Sequence, residues 1–456
     1  MANETQRLAA YAADLRVEDV PADVVRRAKD TIIDTVGTIV FGYDLPWSRI
    51  IVAQAKRSGP GGRSRILGQG GELVQAQAAA FANGALAHAF ELDNLTKPGA
   101  GVHPGAILLP AGLAIAQERG LSGRDLLLAF IAGSEVMIRI GRATKHTNEA
   151  RGFHAPGTTG PFGGAIAVGK LLKFDAAAMT NALGIAGSLA CGLLEFAKSG
   201  TGAMVKRLHL GRAAESGVLA GSLAADGFTG PTSVIEGEFG FLRVFCRDFD
   251  EAELTRGLGN TYVTRTILMK RFACHMSAHT SVQAILDLRA EHGFAGTDVA
   301  AIRIAGNEKM AKVNNIPSPK DVMMCQYSIP FSVALAHFRD PRDPRSYDEA
   351  AFNDPAIRSL AQRVTIVLAE GHHDHATIKA DVEVALKDGR VLKKSVADFK
   401  GTPENPLAPA DLRERFMLLT RHCRPVEMER VLARLQNIEN ESDLDWLRVE
   451  AAAKAA

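Results

Sequence analysis

Apolar residues recur at helical spacing through most of the first half of the chain. Residues 4–16 and 22–42 read as amphipathic helices. In the second of these Val25, Ala28, Ile32, Thr35 and Ile39 fall on one stripe, and Pro21 stands near its start. The Ala-rich stretch 74–92, Pro104 to Arg119, Ser122 to Ile140 with Ser122 as N-cap, Thr158–Leu172, Asp175–Leu194 and Lys206–Asp226 extend the pattern. Few strand signals interrupt it, so an all-α domain is predicted.

The pattern changes after residue 266. Val299–Ala305 alternates as a half-buried strand does, and Ala380–Leu386, Asp388-Gly389 and Val391–Val396 form a hairpin signal. Ser328–Phe338 and Ala350–Leu360 read as helices between them, and Ala408–Ile438 returns to amphipathic helix. The expected fold is mainly α: a large all-α helical domain, residues 1–266 completed by 401–456, with a smaller α+β lid domain over 267–400.

Composition agrees with this. The 456 residues are 46% apolar but only 6% aromatic, with 43 glycines. That mix suits closely packed helices better than a β-sandwich, and the length suits two or three domains. The formal net charge is +2 without a basic block, which argues against a nucleic-acid partner and leaves any anion affinity to a few placed groups. Five scattered cysteines (191, 246, 274, 325, 423) without CxxC spacing fit neither a disulfide framework nor a zinc site, and a cytoplasmic setting is expected. The first residues lack the apolar core of a secretory signal, and no run of 18 apolar residues would span a membrane.

Five segments carry candidate chemistry. In 88–105, His103 precedes Pro104 at a predicted helix start, where free N–H groups and the helix dipole favour an anion, and Asp93 lies upstream to orient an imidazole. A turn Asp and a capping His would read equally well. In 151–165, His154 opens another helix, beside Thr158 and Thr159. In 199–211, Lys206 sits in a first helical turn, an unfavourable place for a cation unless an anion compensates it; His209, one turn on, reads as a packing residue. In 269–279, Lys270, Arg271, His275 and His279 fall at the predicted domain junction, a common ligand setting. His275 and His279 share a helix face, yet no HExxH glutamate or third ligand accompanies them, so no metal is assigned. In 325–336, Tyr327 precedes an apolar helix and offers a phenol. The tract 371–377, GHHDHAT, has adjacent rather than ligand-spaced residues and reads as an exposed loop. The glycines at 61–62 and within GQGG (68–71) lack the context of phosphate or dinucleotide loops.

Taken together, DTVGTIVFG (34–42), ANGALAHAFELD (82–93), HPG (103–105), GFH (152–154), VKRLHLGRAAESG (205–217), KRFACH (270–275), QYSIP (326–330) and GTPENPL (401–407) resemble the MmgE/PrpD family over nearly the whole chain. That resemblance implies a helical domain with a smaller lid, a homodimer, a site between the two domains, and neither metal nor organic cofactor. It places Asp93, His103, His154, Lys206, Lys270, His275 and Tyr327 at motif positions of that site. Glu91-Leu92-Asp93-Asn94 stands where many members carry D-x-D-D, and Lys97 adds a positive charge nearby.

Family members act on small polycarboxylates. The expected activity is that of a 2-methylcitrate dehydratase-like hydro-lyase, with His103 and His154 in acid–base roles and Lys206 and Lys270 holding carboxylates. Epimerisation of an iminodisuccinate-like acid, decarboxylation of a cis-aconitate-like acid and non-catalytic polycarboxylate binding remain open on sequence, because all need a carboxylate clamp.

Overall fold

Helix starts fall where capping chemistry puts them. The computed structural model describes residues 3–68, 73–98, 101–198, 204–370 and 378–449. Helix α1 (Glu4–Asp14) begins with a capping box between Asn3 and Gln6. Then follow α2 (Ala22–Tyr43), α3 (Pro46–Ser58), α4 (Ala76–Ala87), α5 (Gly105–Arg119), α6 (Gly123–Ala143), α7 (Ala155–Leu171), α8 (Ala176–Gly187) and α9 (Val205–Ala225). Ser122 caps α6 in a box with Asp125, as its position predicts.

Several expected elements are shorter than their apolar runs. The helix expected to run to Leu194 stops at Gly187, and the chain leaves it for a loop in which Gly192 takes φ +132°, a left-handed conformation open to glycine. Residues 74–92 yield a helix only to Ala87. The run 350–360 is split where Asp354 accepts from the N–H groups of Ala356 and Ile357 and Pro355 begins a new helix. The last amphipathic stretch likewise divides into Pro409–Leu419 and Pro425–Gln436. Helix α3 and a short antiparallel pair, Pro60–Arg65 with Leu73–Val74, carried no signal that periodicity alone picked out.

The chain forms two compact units. The first comprises Met1–Glu195, Met204–Ile267 and Pro409–Ala456; the second comprises Phe196–Ala203 and Leu268–Ala408. In the first, α4, α5 and α7 are buried on nearly every side, which is how a helix apolar all round is accommodated. Helix α9 packs on both α4 and α7. Glycines let the backbones meet: a Cβ on Gly217 would stand 2.5 Å from Gly164 Cα, and one on Gly211 would stand 2.5 Å from the Phe81 carbonyl oxygen. This close approach sets the start of α9 beside the end of α4 and the start of α7.

The second unit is a four-stranded sheet with helices. Its strands are β1 (Val299–Gly306), β2 (Val364–Leu368), β3 (Ala380–Leu386) and β4 (Val391–Val396), in the order β2-β1-β3-β4. The β1–β2 pair is parallel; β1–β3 and β3–β4 are antiparallel. The β3–β4 hairpin turns at Asp388-Gly389, where Gly389 has φ +91°. The fold is mainly α, with a helical unit and a smaller α+β unit. No helix among the described residues is long and apolar enough to cross a membrane.

Candidate active site in the helical unit

The end of α4 builds the floor of the site. His88 caps that helix, and the chain then turns through Glu91 and Asp93 instead of continuing helical. Arg207 of α9 steadies this turn by donating from Nε to the Ala89 carbonyl, 3.3 Å away. Asp93 is wholly buried, and its Oδ2 lies 2.8 Å from His88 Nδ1 and 2.7 Å from His103 Nδ1.

One carboxylate oxygen therefore serves two imidazoles. Burial alone would raise the Asp93 carboxyl, but the flanking imidazoles and their hydrogen bonds outweigh burial and hold it well below the usual carboxylate range. An ionised carboxylate only accepts, so both Nδ1 atoms carry hydrogen and donate to it. In each neutral ring the lone pair then resides on Nε2. The His88 side chain is 1% exposed and burial pushes it down to about 3, against the pull of Asp93, so it stays neutral. His103 is 12% exposed and is the one of this pair open enough for a ligand to reach.

His154 stands at the N-cap position of α7, its backbone N–H bonded to the Gly192 carbonyl at 3.0 Å. Its ring centroid is 5.9 Å from that of His88 and 5.1 Å from that of His209, and the Nδ1 atoms of His154 and His209 are 2.9 Å apart. Burial holds His154 well below the usual imidazole range, and the crowding of a further cation beside the His88 ring and the Lys206 ammonium acts in the same direction. His209 is lowered by burial and then by Lys206. Lys206, buried in the first turn of α9, is bonded to the Glu91 carboxylate. Burial lowers its ammonium while Glu91 opposes the shift. The compensating anion that its position demanded is thus a residue of this chain.

Asp93, His103, His154 and Lys206 are brought together in one unit. His88, Glu91 and His209 join them, and the sequence reading had not assigned these three to the site. The signal for His88 was present: it follows α4 by one residue and precedes Asp93 by five. His209 does pack, as expected, but it packs against His154.

Lys270, His275 and Tyr327 belong to the second unit. Lys270 is 2% exposed. The His275 ring lies 5.3 Å from that of Tyr327, and the His275 N–H donates to the Gln326 carbonyl at 2.7 Å. His279 is buried against Phe399 and Phe272, and the Phe272 N–H donates to its Nε2 at 3.3 Å. That ring is committed to packing. The GHHDHAT tract lies outside the described residues.

Among the described residues one group, His88, Asp93 and His103, has donor atoms close enough to hold a metal ion. Its geometry is that of hydrogen bonds. Around a tetrahedral zinc at 2.0–2.1 Å, donor atoms stand about 3.3 Å apart, whereas both imidazole nitrogens here are at 2.7–2.8 Å from one carboxylate oxygen.

The MmgE/PrpD N-terminal domain matches residues 6–253, and the MmgE/PrpD C-terminal domain matches residues 272–440. The chain belongs to the MmgE/PrpD family. Among its MmgE/PrpD relatives is a cis-aconitate decarboxylase of Aspergillus terreus, 36% identical over 301 residues; the match spans 63% of this chain and 60% of that relative's length, under two thirds of it. A cis-aconitate decarboxylase-like protein of Aspergillus oryzae is 32% identical over 96% of this chain and 93% of its own. A 2-methylcitrate dehydratase of Cupriavidus necator is 28% identical over 208 residues, 42% of this chain and 41% of its own.

Proposed function

We propose that this protein is a lyase that acts on a small polycarboxylate by histidine acid–base chemistry, with decarboxylation of a cis-aconitate-like acid as its reaction. The observation that carries the reading is the Asp93 carboxylate shared by His88 and His103, with His154 and the Lys206–Glu91 pair in the same cluster. The two Aspergillus relatives named for cis-aconitate decarboxylation favour that reaction, because they match this chain at higher identity and over more of its length than the dehydratase does.

Loss of CO₂ from an unsaturated tricarboxylate breaks one C–C bond. Its electron pair forms a new double bond to the neighbouring carbon, and the pair of the old double bond moves to its far carbon, where it binds a proton. His103, fixed by Asp93 as the Nδ1–H tautomer, presents Nε2 as the proton carrier. When Nε2 is protonated, the anionic Asp93 stabilises the imidazolium. His154 is the second candidate for this role. An ammonium has three donor hydrogens, and we assign Lys206 to a substrate carboxylate alongside Glu91. Lys270 remains the candidate second cation, and His275 and Tyr327 candidate substrate-binding groups, on their motif positions.

Dehydration of a 2-methylcitrate-like acid is the second reading, favoured by the likeness to the Cupriavidus necator enzyme. The same base would remove a proton beside a carboxylate while an acid protonates the departing hydroxyl. NMR of the protein with cis-aconitate, 2-methylcitrate and iminodisuccinate in D₂O separates the outcomes. Released CO₂ with deuterium in the product supports decarboxylation. A new alkene from 2-methylcitrate supports dehydration, deuterium exchange without net product supports epimerisation, and no change with any acid refutes the lyase reading.

A further inference from the structure

We propose that Asp34, Asn94 and Arg415 are positioning residues for the Asp93–His103 pair, so that the helix Pro409–Leu419 takes part in building the site. This rests on the acid–base reading of that pair given above.

The three side chains form one buried network. Asp34 on α2 is 1% exposed, Asn94 0% and Arg415 7%. Arg415 Nε donates to Asp34 Oδ1 at 2.6 Å, and its Nη2 donates to the Leu92 carbonyl at 2.8 Å. Asn94 Nδ2 donates to Asp34 Oδ2 and to Thr35 Oγ1, both at 3.0 Å. Asn94 Oδ1 accepts from the Gly105 N–H at 2.9 Å. Residues on both sides of Asp93 are thus held by groups anchored on α2 and on the helix Pro409–Leu419. The Asn94–Gly105 bond ties the chain before His103 to the chain after it and satisfies a free N–H at the start of α5.

The residue types match these tasks. Asn94 must donate to a carboxylate and accept from an N–H at once, which an amide does and an ionised Asp does not. The planar guanidinium of Arg415 serves a carboxylate and a carbonyl together, which a lysine ammonium does less rigidly. The space is tight as well: a Cβ on Gly105 would stand 2.1 Å from Thr35 Oγ1 and 2.6 Å from the Asn94 amide.

The test uses Arg415→Lys and Asn94→Asp in the full chain, each assayed for melting temperature, for kcat and KM with cis-aconitate across pH, and by ¹⁵N NMR of histidine-labelled protein. Arg415→Lys keeps the charge opposite Asp34, so it should stay folded. Misplacement of the pair should lower kcat between about tenfold and a hundredfold with little change in KM. The pH at which activity half-disappears should move, and the His103 Nδ1 signal should shift towards a mixture of tautomers. Folded variants with an unchanged pH profile and an unchanged His103 signal would overturn the proposal and leave the network a purely structural tie. The NMR arm needs no substrate, so it decides the point even if cis-aconitate is not turned over. His103→Ala with full activity would instead remove the acid–base reading itself.

Discussion

The Lys206 ammonium is bonded to the Glu91 carboxylate, and the two residues lie 115 positions apart in the chain. A cation in the first turn of a helix opposes the dipole, and burial adds a desolvation penalty. Removing one partner of such a pair leaves a buried charge unmatched. Glu91→Gln should therefore destabilise the free protein by about 3–5 kcal/mol, and a saturating polycarboxylate should recover part of the loss. Urea unfolding with and without cis-aconitate measures both; wild-type stability in the variant would show that Lys206 does not depend on Glu91.

Asp93 fixes the tautomer of His103 through the 2.7 Å bond to Nδ1. Asp93→Asn offers a neutral amide in place of the anion and weakens the hold on the imidazole. Both Asp93→Asn and His103→Ala should lose between about 10² and 10⁴ in kcat while circular dichroism and melting stay close to wild type. A Asp93→Asn protein with normal kcat would show that His103 needs no orienting carboxylate.

Stability should fall as pH drops below about 6.5. His88, His154 and His209 are all lowered by burial. Below about pH 6.5 the unfolded chain takes up protons at His88 and His154 and the folded chain does not, so unfolding gains about 1.4 kcal/mol per pH unit for each of these two imidazoles, and His209 adds in the same direction. Asp93, also lowered in the folded state, acts in the same direction further into acid. Urea unfolding at pH 7.5 and pH 5.0 should show the loss, and equal stability at the two values would contradict the neutral, buried state assigned to these rings.

Activity should survive prolonged incubation with a strong chelator, because the His88–Asp93–His103 donors stand at hydrogen-bond separations. Metal analysis of the purified protein, with turnover measured before and after chelation, checks this. Loss of activity that zinc or iron restores would make the triad a metal site.

Much of the architecture was legible from periodicity. The helices α1, α2, α5, α6, α7 and α9 and the hairpin at Asp388-Gly389 were predicted within a few residues of where they lie, because each buries one set of side chains at its own repeat. Their ends were less legible. Gly187 and Ala87 end helices because of what the following loop must reach, and periodicity carries no record of that.

The candidate site was half legible. Asp93, His103, His154 and Lys206 could be picked out because each sits where a helix starts or a loop turns, places that local chemistry marks. His88 could have been, from its place at the end of α4 five residues before Asp93; Glu91 and His209 could not, because nothing within a few residues of them distinguishes a ligand of another side chain from a packed residue. The sequence by itself determined the helix-forming stretches, the caps and the glycines that allow close approach. Only the tertiary structure decided that Asp93 would serve two imidazoles, that Lys206 would meet Glu91 and that Arg415 would reach Leu92. The last two contacts join residues far apart in the chain, and the geometry of all three is set by helix packing at ångström precision, which the one-dimensional pattern of polar and apolar residues does not encode.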